Sequence, residues 1–268
     1  MVLKKSTMLV DAISHSILPG IVLGYLLAGD RNLVTIVLGA SAAGLVAVSG
    51  VNLLRNKLAI SADSAIGIVY SVMFALGTIM LSMFAGSVDL DQDCVLFGEL
   101  AFLPLNRLYL PNGVDIGPVD LWILGGNFLL VLAFILRFYN PLLVSTFDGD
   151  YLQTLGGKPK AWSFGLLTLV TFTVVTSFQS VGSILVVSLF VAPASAALLL
   201  FQSLPKVMLG SVGFGILSVL LGYAVAYQLN ISLAGAISTM AGIIFFAVLF
   251  AKNYTNLLNT KYLISQNA

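Results

Sequence analysis

Charge is what this sequence has least of. Of its 268 residues only 9% are Asp, Glu, Lys or Arg, against 59% that are hydrophobic. A soluble domain carries about 25% charged residues, and no soluble fold of this size can hide so much apolar surface. The single cysteine, Cys94, excludes an intramolecular disulfide and any cysteine-based zinc cluster. There is no G-x-x-x-x-G-K-[ST] phosphate loop, so the chain does not carry its own ATPase and is not read as an enzyme. A net charge of +1 without any basic run gives no sign of nucleic-acid binding. The first 30 residues lack a short apolar core followed by a small-residue cleavage site, so they are not a cleaved signal. No low-complexity tract, domain boundary or convincing internal repeat divides the chain, and residues 1–268 read as one transmembrane domain.

What is present is long apolar runs. Eight of them, at about 7–28, 32–54, 64–86, 117–138, 161–179, 182–203, 207–228 and 232–251, are bounded by charged or turn residues. Each suits a membrane-spanning helix, so the expected fold is an all-α polytopic bundle. Pro193 interrupts the span at 182–203, which is expected to be bent or re-entrant. Orientation follows from the positive charges. If the residues before the first span face the cytoplasm, Lys4, Lys5, Arg55, Lys57, Arg137, Lys158, Lys160, Lys206, Lys252 and Lys261 lie inside, and only Arg31 and Arg107 lie outside. The positive-inside rule favours that arrangement, with both termini cytoplasmic. Two connections are long: 87–116, outside, and 139–160, inside. Glycines such as those of GASAAG (39–44) and the cluster Gly210, Gly213 and Gly215 permit close helix packing.

One charged constellation lies inside a span. The first run, STMLVDAISHSILPGIVLGYLLAG, holds Asp11 and His15, the only histidine. Four residues apart, they share one helix face. An ionisable group in a membrane span points to function by default. Carboxylate plus imidazole suits a divalent transition metal. Two ligands make half a site, which two copies of the helix across a dimer axis would complete. Pro19 has no amide hydrogen, so the His15 carbonyl loses its usual donor, and a kink there would free one more oxygen near the pair. The plainer alternative is that Asp11 caps the helix start and His15 hydrogen-bonds a neighbouring helix. Asp120 is the other acidic residue well inside a span, near the mouth of the fourth.

DAISHSILPG (11–20) resembles the D-A-x-S-H-x-x-L-P-G signature of the manganese/zinc/iron permease family of ABC transporters. SADSAIGIVYSVMFALG (61–77), VDLDQDCVLFGELAFLP (88–104), FDGDYLQTLG (147–156) and VGSILVVSLFVAPASAALLL (181–200) resemble further segments of that family in the same order. The resemblance implies a permease in a bacterial inner membrane, dimeric with itself or a paralogue. It implies two cytoplasmic ATP-binding subunits and an extracytoplasmic metal-binding protein as partners, besides membrane lipid. ATP on the partner subunits would drive a divalent metal inward, with no cofactor held permanently. Asp11 and His15 match the family's metal-coordinating Asp and His. Residues 147–156 match its coupling helix, which assigns Phe147, Asp148, Asp150, Leu152 and Gly156 to contact with the ATPase. Leu152 stands where the family usually has Ala. Family members also usually have an apolar helix before the segment that matches residues 2–15. The outer loop resembles that of manganese- and iron-type members, which favours manganese, then iron or zinc.

Other features have local readings. Asp89, Asp91, Asp93 and Glu99 of the outer loop suit a solvated surface or docking contacts. Asp148 and Asp150 suit an N-cap, and Gly156 and Gly157 a helix end. The runner-up function is a proton-coupled secondary transporter using the Asp11–His15 pair, which would carry inverted repeats; none is evident.

Overall fold

The computed structural model describes residues 7–28, 33–58, 60–84, 100, 103, 107–109 and 115–266. Lys4, Lys5, Arg31, Asp89, Asp91, Asp93, Cys94 and Glu99 lie outside them. The described residues form two compact units, within 7–183 and within 184–266. Among them, eight helical segments are long and apolar enough to cross a membrane.

The first unit opens with α1 (Met8–Ser16) and α2 (Leu18–Ala28). The first span is therefore not one continuous helix: it is interrupted at Ile17, two residues before Pro19. Ile17 keeps right-handed dihedrals (φ −78°, ψ −16°), so the chain continues in roughly the same direction. Then come α3 (Leu33–Leu58) and α4 (Ala62–Phe84). Arg55 and Lys57 lie in the last turn of α3, where cations complement the helix dipole. A small antiparallel hairpin follows, β1 (Arg107–Tyr109) and β2 (Asp115–Pro118), within the connection read from sequence as the outer loop. It leads into α5 (Val119–Arg137), the short helices α6 (Tyr139–Phe147) and α7 (Gly149–Thr154), and α8 (Pro159–Val181).

Glycine decides how α2 and α3 meet. A Cβ on Gly20 would overlap the Gly39 carbonyl, and one on Gly39 would overlap that of Gly20 and stand 3.2 Å from Gly24 Cα. Such contact lets dispersion act between backbones where lipid offers no hydrophobic drive for helices to associate. α1 and α2 both pack on α4, and α8 packs on α1 and α3. In that last contact Thr171 fills the space over Gly44, beside Ile13 and Ile17 of the first span.

The second unit begins inside the first turn of α9 (Ser183–Leu200) and continues with α10 (Leu204–Leu229) and α11 (Leu233–Gln266). Gly182, at φ 80° and ψ 164°, separates α8 from α9 with dihedrals that disfavour other residues. Pro193 sits inside a continuous α9, so the expected re-entrant break is not seen. α10 and α11 form an antiparallel hairpin around Asn230, which is left-handed (φ 52°, ψ 46°). Gly222 lies against the Ile237 backbone, flanked by buried Ser218 and Ala226 one turn to either side. α11 extends to Gln266, past the run read as the eighth span.

Two predictions follow from this packing. Gly39→Val is expected to destabilise the protein by about 1–3 kcal/mol through overpacking, read as a lower melting temperature in detergent. Gly67→Ala, where a Cβ meets open space inside α4, should not lower it and is expected to raise it slightly. The second concerns the hairpin. The Gly117 N–H donates to Asp115 Oδ1 at 2.9 Å and Arg107 pairs with Oδ2; the first of these, then the second, holds the carboxyl below the usual carboxylate range. A depressed folded pKa means the contribution is complete above the unfolded value and fades as pH falls below about 4. The protection of the Gly117 amide, as its exchange rate relative to the intrinsic rate at each pH, should fall on acidification through that point but stay level between about pH 8 and 5, and Asp115→Asn should remove that change.

Candidate functional site

α1 carries both intramembrane ionisable residues of the first span. Met8 starts the helix behind an N-cap, Thr7, that makes no side-chain cap bond. Asp11 lies within the first turn and not at the N-cap position, which Thr7 occupies. Asp11 and His15 follow one helical turn apart, and His15 lies about 10 Å along the axis from the first turn. Asp11 Oδ1 and His15 Nε2 are 3.6 Å apart, with the His15 side chain 20% and the Asp11 side chain 51% exposed. That separation is too long for a hydrogen bond, so neither atom is consumed by the other. Two donors each about 2.1 Å from a shared ion stand about 3.0–3.4 Å apart at octahedral or tetrahedral angles. The pair needs to close by only a few tenths of an ångström to chelate one ion. Among the described residues no third His, Cys, Asp or Glu joins them.

The imidazole has a wall that sequence reading missed. Its ring meets Tyr70 of α4 at a centroid distance of 5.4 Å and an interplanar angle of 65°, and Phe74 at 5.8 Å and 88°. Both are edge-to-face contacts of the favourable kind. Tyr70 and Phe74 are themselves one turn apart and stacked, 6.0 Å between centroids. α4 thus presents an aromatic i, i+4 pair to the His15 ring of α1. His15 makes ring contacts here rather than the hydrogen bond to a neighbouring helix that the plainer reading expected. The signal in the sequence was the Tyr70–Phe74 spacing, but nothing in it says that α4 faces α1. Pro19 sits two residues beyond the interruption at Ile17 and is buried, as are Ile13, Ile17 and Leu18 around it.

The other predicted residues gather at the far end of α5 and α8. Phe147 ends α6 and is exposed. Asp148 caps α7: its Oδ1 accepts from the Tyr151 N–H at 2.9 Å. Asp150 is exposed in the first turn, where a carboxylate complements the dipole. Leu152 points inward instead and is buried, covering Gly157, where any Cβ would stand 2.8 Å from its side chain. Gly156 closes the helix at φ 78°, its N–H bonded to the Gln153 carbonyl, while the Gly157 N–H bonds to that of Leu152 at 2.9 Å. Three apolar side chains, Phe147, Tyr151 and Leu155, recur every four residues and are each more than half exposed, among exposed Asp150, Gln153 and Thr154. The Asp11–His15 pair and this segment are separate features, both within the first unit.

Comparison with known proteins gives these features a setting. The family model described as the ABC 3 transport family matches residues 1–252. Over 243 residues, 91% of this chain and 82% of the relative, the sequence is 37% identical to the manganese transport system membrane protein MntD of Bacillus subtilis. It is 36% identical to the zinc transport system membrane protein TroD of Treponema pallidum, over 91% of this chain and 66% of that protein. Among solved structures, PsaBC from Streptococcus pneumoniae in complex with Fab superposes with a TM-score of 0.76 and 29% identity, covering 96% of this chain and 86% of that one.

The local geometry of α7 yields a prediction of its own. Asp148→Ala should cost about 1 kcal/mol of capping, a roughly fivefold rise in local opening. Hydrogen exchange at Tyr151 measures it, with exchange in α5 unchanged.

Proposed function

This chain belongs to the ABC 3 transport family, and on that premise we propose that it is the membrane-spanning permease of an ATP-binding-cassette importer moving a divalent transition metal ion into the cytoplasm. Manganese is the favoured cargo, then iron or zinc. The observation that carries this reading is the Asp11–His15 pair, an oxygen and a nitrogen donor 3.6 Å apart on one face of a membrane-spanning helix.

Each chain supplies two donors, so a second permease copy or paralogue, with its own α1, completes a four-donor site on the path. Tyr70 and Phe74 hold the His15 ring edge-on, which keeps Nε2 on the side of Asp11. A path site must bind well enough to admit the ion and weakly enough to release it. A mixed Asp/His set is permissive, since at equal geometry zinc outcompetes manganese. Metal choice therefore belongs mainly to an extracytoplasmic protein that delivers the ion. ATP is bound and hydrolysed on separate subunits. Their contact on this chain is the apolar ridge of Phe147, Tyr151 and Leu155, with Asp148, buried Leu152 and Gly156 fixing the short helix behind it. In this orientation α6, α7 and both termini are cytoplasmic, as the distribution of Lys and Arg favours.

The test is uptake of radioactive manganese into vesicles holding the complex of this chain with its ATP-binding subunits and metal-loaded binding protein. Asp11→Ala and His15→Ala should each reduce uptake by at least about tenfold, while the ATP-binding subunits still copurify. Wild-type uptake in both variants would remove the pair from the path. Uptake that persists without ATP would overturn the importer reading.

A further inference from the structure

α5 and α8 flank the α6–α7 segment and run antiparallel, and their contacts keep one register from end to end. Near the start of α5, Ser180 Oγ donates to Asp120 Oδ1 at 2.6 Å. Two turns along, Asn127 Nδ2 donates to Thr176 Oγ1 at 3.1 Å, and Thr173 Oγ1 lies 3.5 Å from Asn127 Oδ1. At the far end Phe138 meets the Trp162 ring at 5.2 Å, and Phe134 lies over Gly165. Every step up one helix is matched by a step down the other.

Three of the polar members of this series are buried. Asn127 is the buried residue of α5, and Thr176 and Ser180 are buried on α8. Thr176 also donates to the Phe172 carbonyl at 2.9 Å, so its oxygen is oriented to accept from Asn127 before α5 arrives, while the single Thr173 proton goes either to the Leu169 carbonyl at 2.9 Å or to Asn127 Oδ1. Adhesion alone does not need this chemistry: α2 and α3 meet through Gly20 and Gly39 without it. What hydrogen bonds add inside a bilayer is register. A slip by one residue would strand the buried Asn127 amide where no water replaces its partner, and would part Asp120 from Ser180.

We infer that Asp120, Asn127, Thr173, Thr176 and Ser180 are positioning residues that bolt α5 to α8, so that the hairpin bearing α6 and α7 moves as a single strut. The other side of the strut rests on the metal-bearing span: Thr171 of α8 packs over Gly44 beside Ile13 and Ile17, which bracket His15. Movement of the α6–α7 segment is thereby delivered to α1 without being lost in sliding between its two flanking helices. This inference rests on the permease reading above.

Cross-linking tests it. On a Cys94→Ser background, Asn127→Cys and Thr176→Cys are joined by oxidation or a short bifunctional thiol reagent in the complex with its ATP-binding subunits. Manganese uptake into vesicles and ATP hydrolysis are then compared before and after linkage. The reduced Cys pair lacks the polar bonds and should move about tenfold less manganese per ATP than the Cys94→Ser parent, and linkage should restore that ratio to within about twofold of the parent. Arrest of uptake on linkage, restored by reduction, would show that the helices slide and would overturn the clamp. A second variant, Asn127→Leu with Thr176→Val, removes both polar partners at similar volume. It should keep ATP hydrolysis while manganese moved per ATP falls about tenfold, within the usual range of coupling between sites. An unchanged ratio, or a parallel loss of both activities together with a lower melting temperature, would mark the bonds as merely structural and count against the proposal. Absence of manganese uptake in the reduced Cys94→Ser parent would instead overturn the metal reading on which the clamp depends.

Discussion

The constraint on which this structure depends is the absence of water from the bilayer core. Each unsatisfied backbone group there costs several kcal/mol, which commits the apolar runs to helices that bond internally. The same constraint removes the hydrophobic drive between helices, because lipid tails are as apolar as leucine. Contacts between spans must then come from close packing or from polar groups that find each other. Both solutions occur, in different places. Backbone approach through Gly20 and Gly39 joins α2 to α3, and Gly222 against Ile237 joins α10 to α11. Side-chain hydrogen bonds from Asp120 and Asn127 join α5 to α8.

Set in that medium, the Asp11–His15 pair is costly unless something compensates it. The structure provides partial cover: aromatic rings on one side of the imidazole and partial exposure of the carboxylate. The quadrupole of an aromatic ring gives it a positive edge and a negative face, so edge-to-face packing fixes orientation without supplying a competing ligand. In the function proposed above, that property suits an imidazole that must present a free nitrogen to a metal. A serine or asparagine in place of Tyr70 or Phe74 would hold the ring as well but would tie up a nitrogen. In the function proposed above, the interruption at Ile17 lies next to the pair and places the irregular backbone where it can respond to a passing ion.

Much of the architecture was legible in the sequence because hydropathy acts locally. Eight spans emerge from runs of about twenty apolar residues, and their limits fall within a few residues of the apolar helical segments, although α11 itself runs on to Gln266. Asp148, Gly156 and Gly157 announced the ends of α7, since capping is decided within one turn. Pro19 announced an irregularity, although its loss of an amide hydrogen did not reveal that the interruption falls at Ile17. What could not be read was anything that depends on which helices are neighbours. The approach of Tyr70 to His15 spans more than fifty residues of chain, and Asp120 reaches Ser180 across sixty. The resemblance assigns Leu152 to contact with the ATPase, but which neighbours cover it is not written in the segment itself. Its burial follows from the turn at Gly156 and Gly157, which folds the chain back beneath it.

The two kinds of helix contact suggest a division of labour. Glycine-mediated contacts are steep in distance but tolerant of rotation and small slides, because dispersion depends on approach and has little direction. Hydrogen bonds between side chains are directional and fix register. A transporter that alternates between two states needs some interfaces that shift and others that do not. The shifting ones are best built from small residues, and the fixed ones from polar pairs in a medium where no water substitutes for a lost partner. The helices that leave the membrane to form α6 and α7 carry the directional contacts, and α2 and α3 meet through glycine. On that physical ground the α5–α8 pair is the element suited to carry force, and the glycine-packed contacts are the ones suited to yield to it.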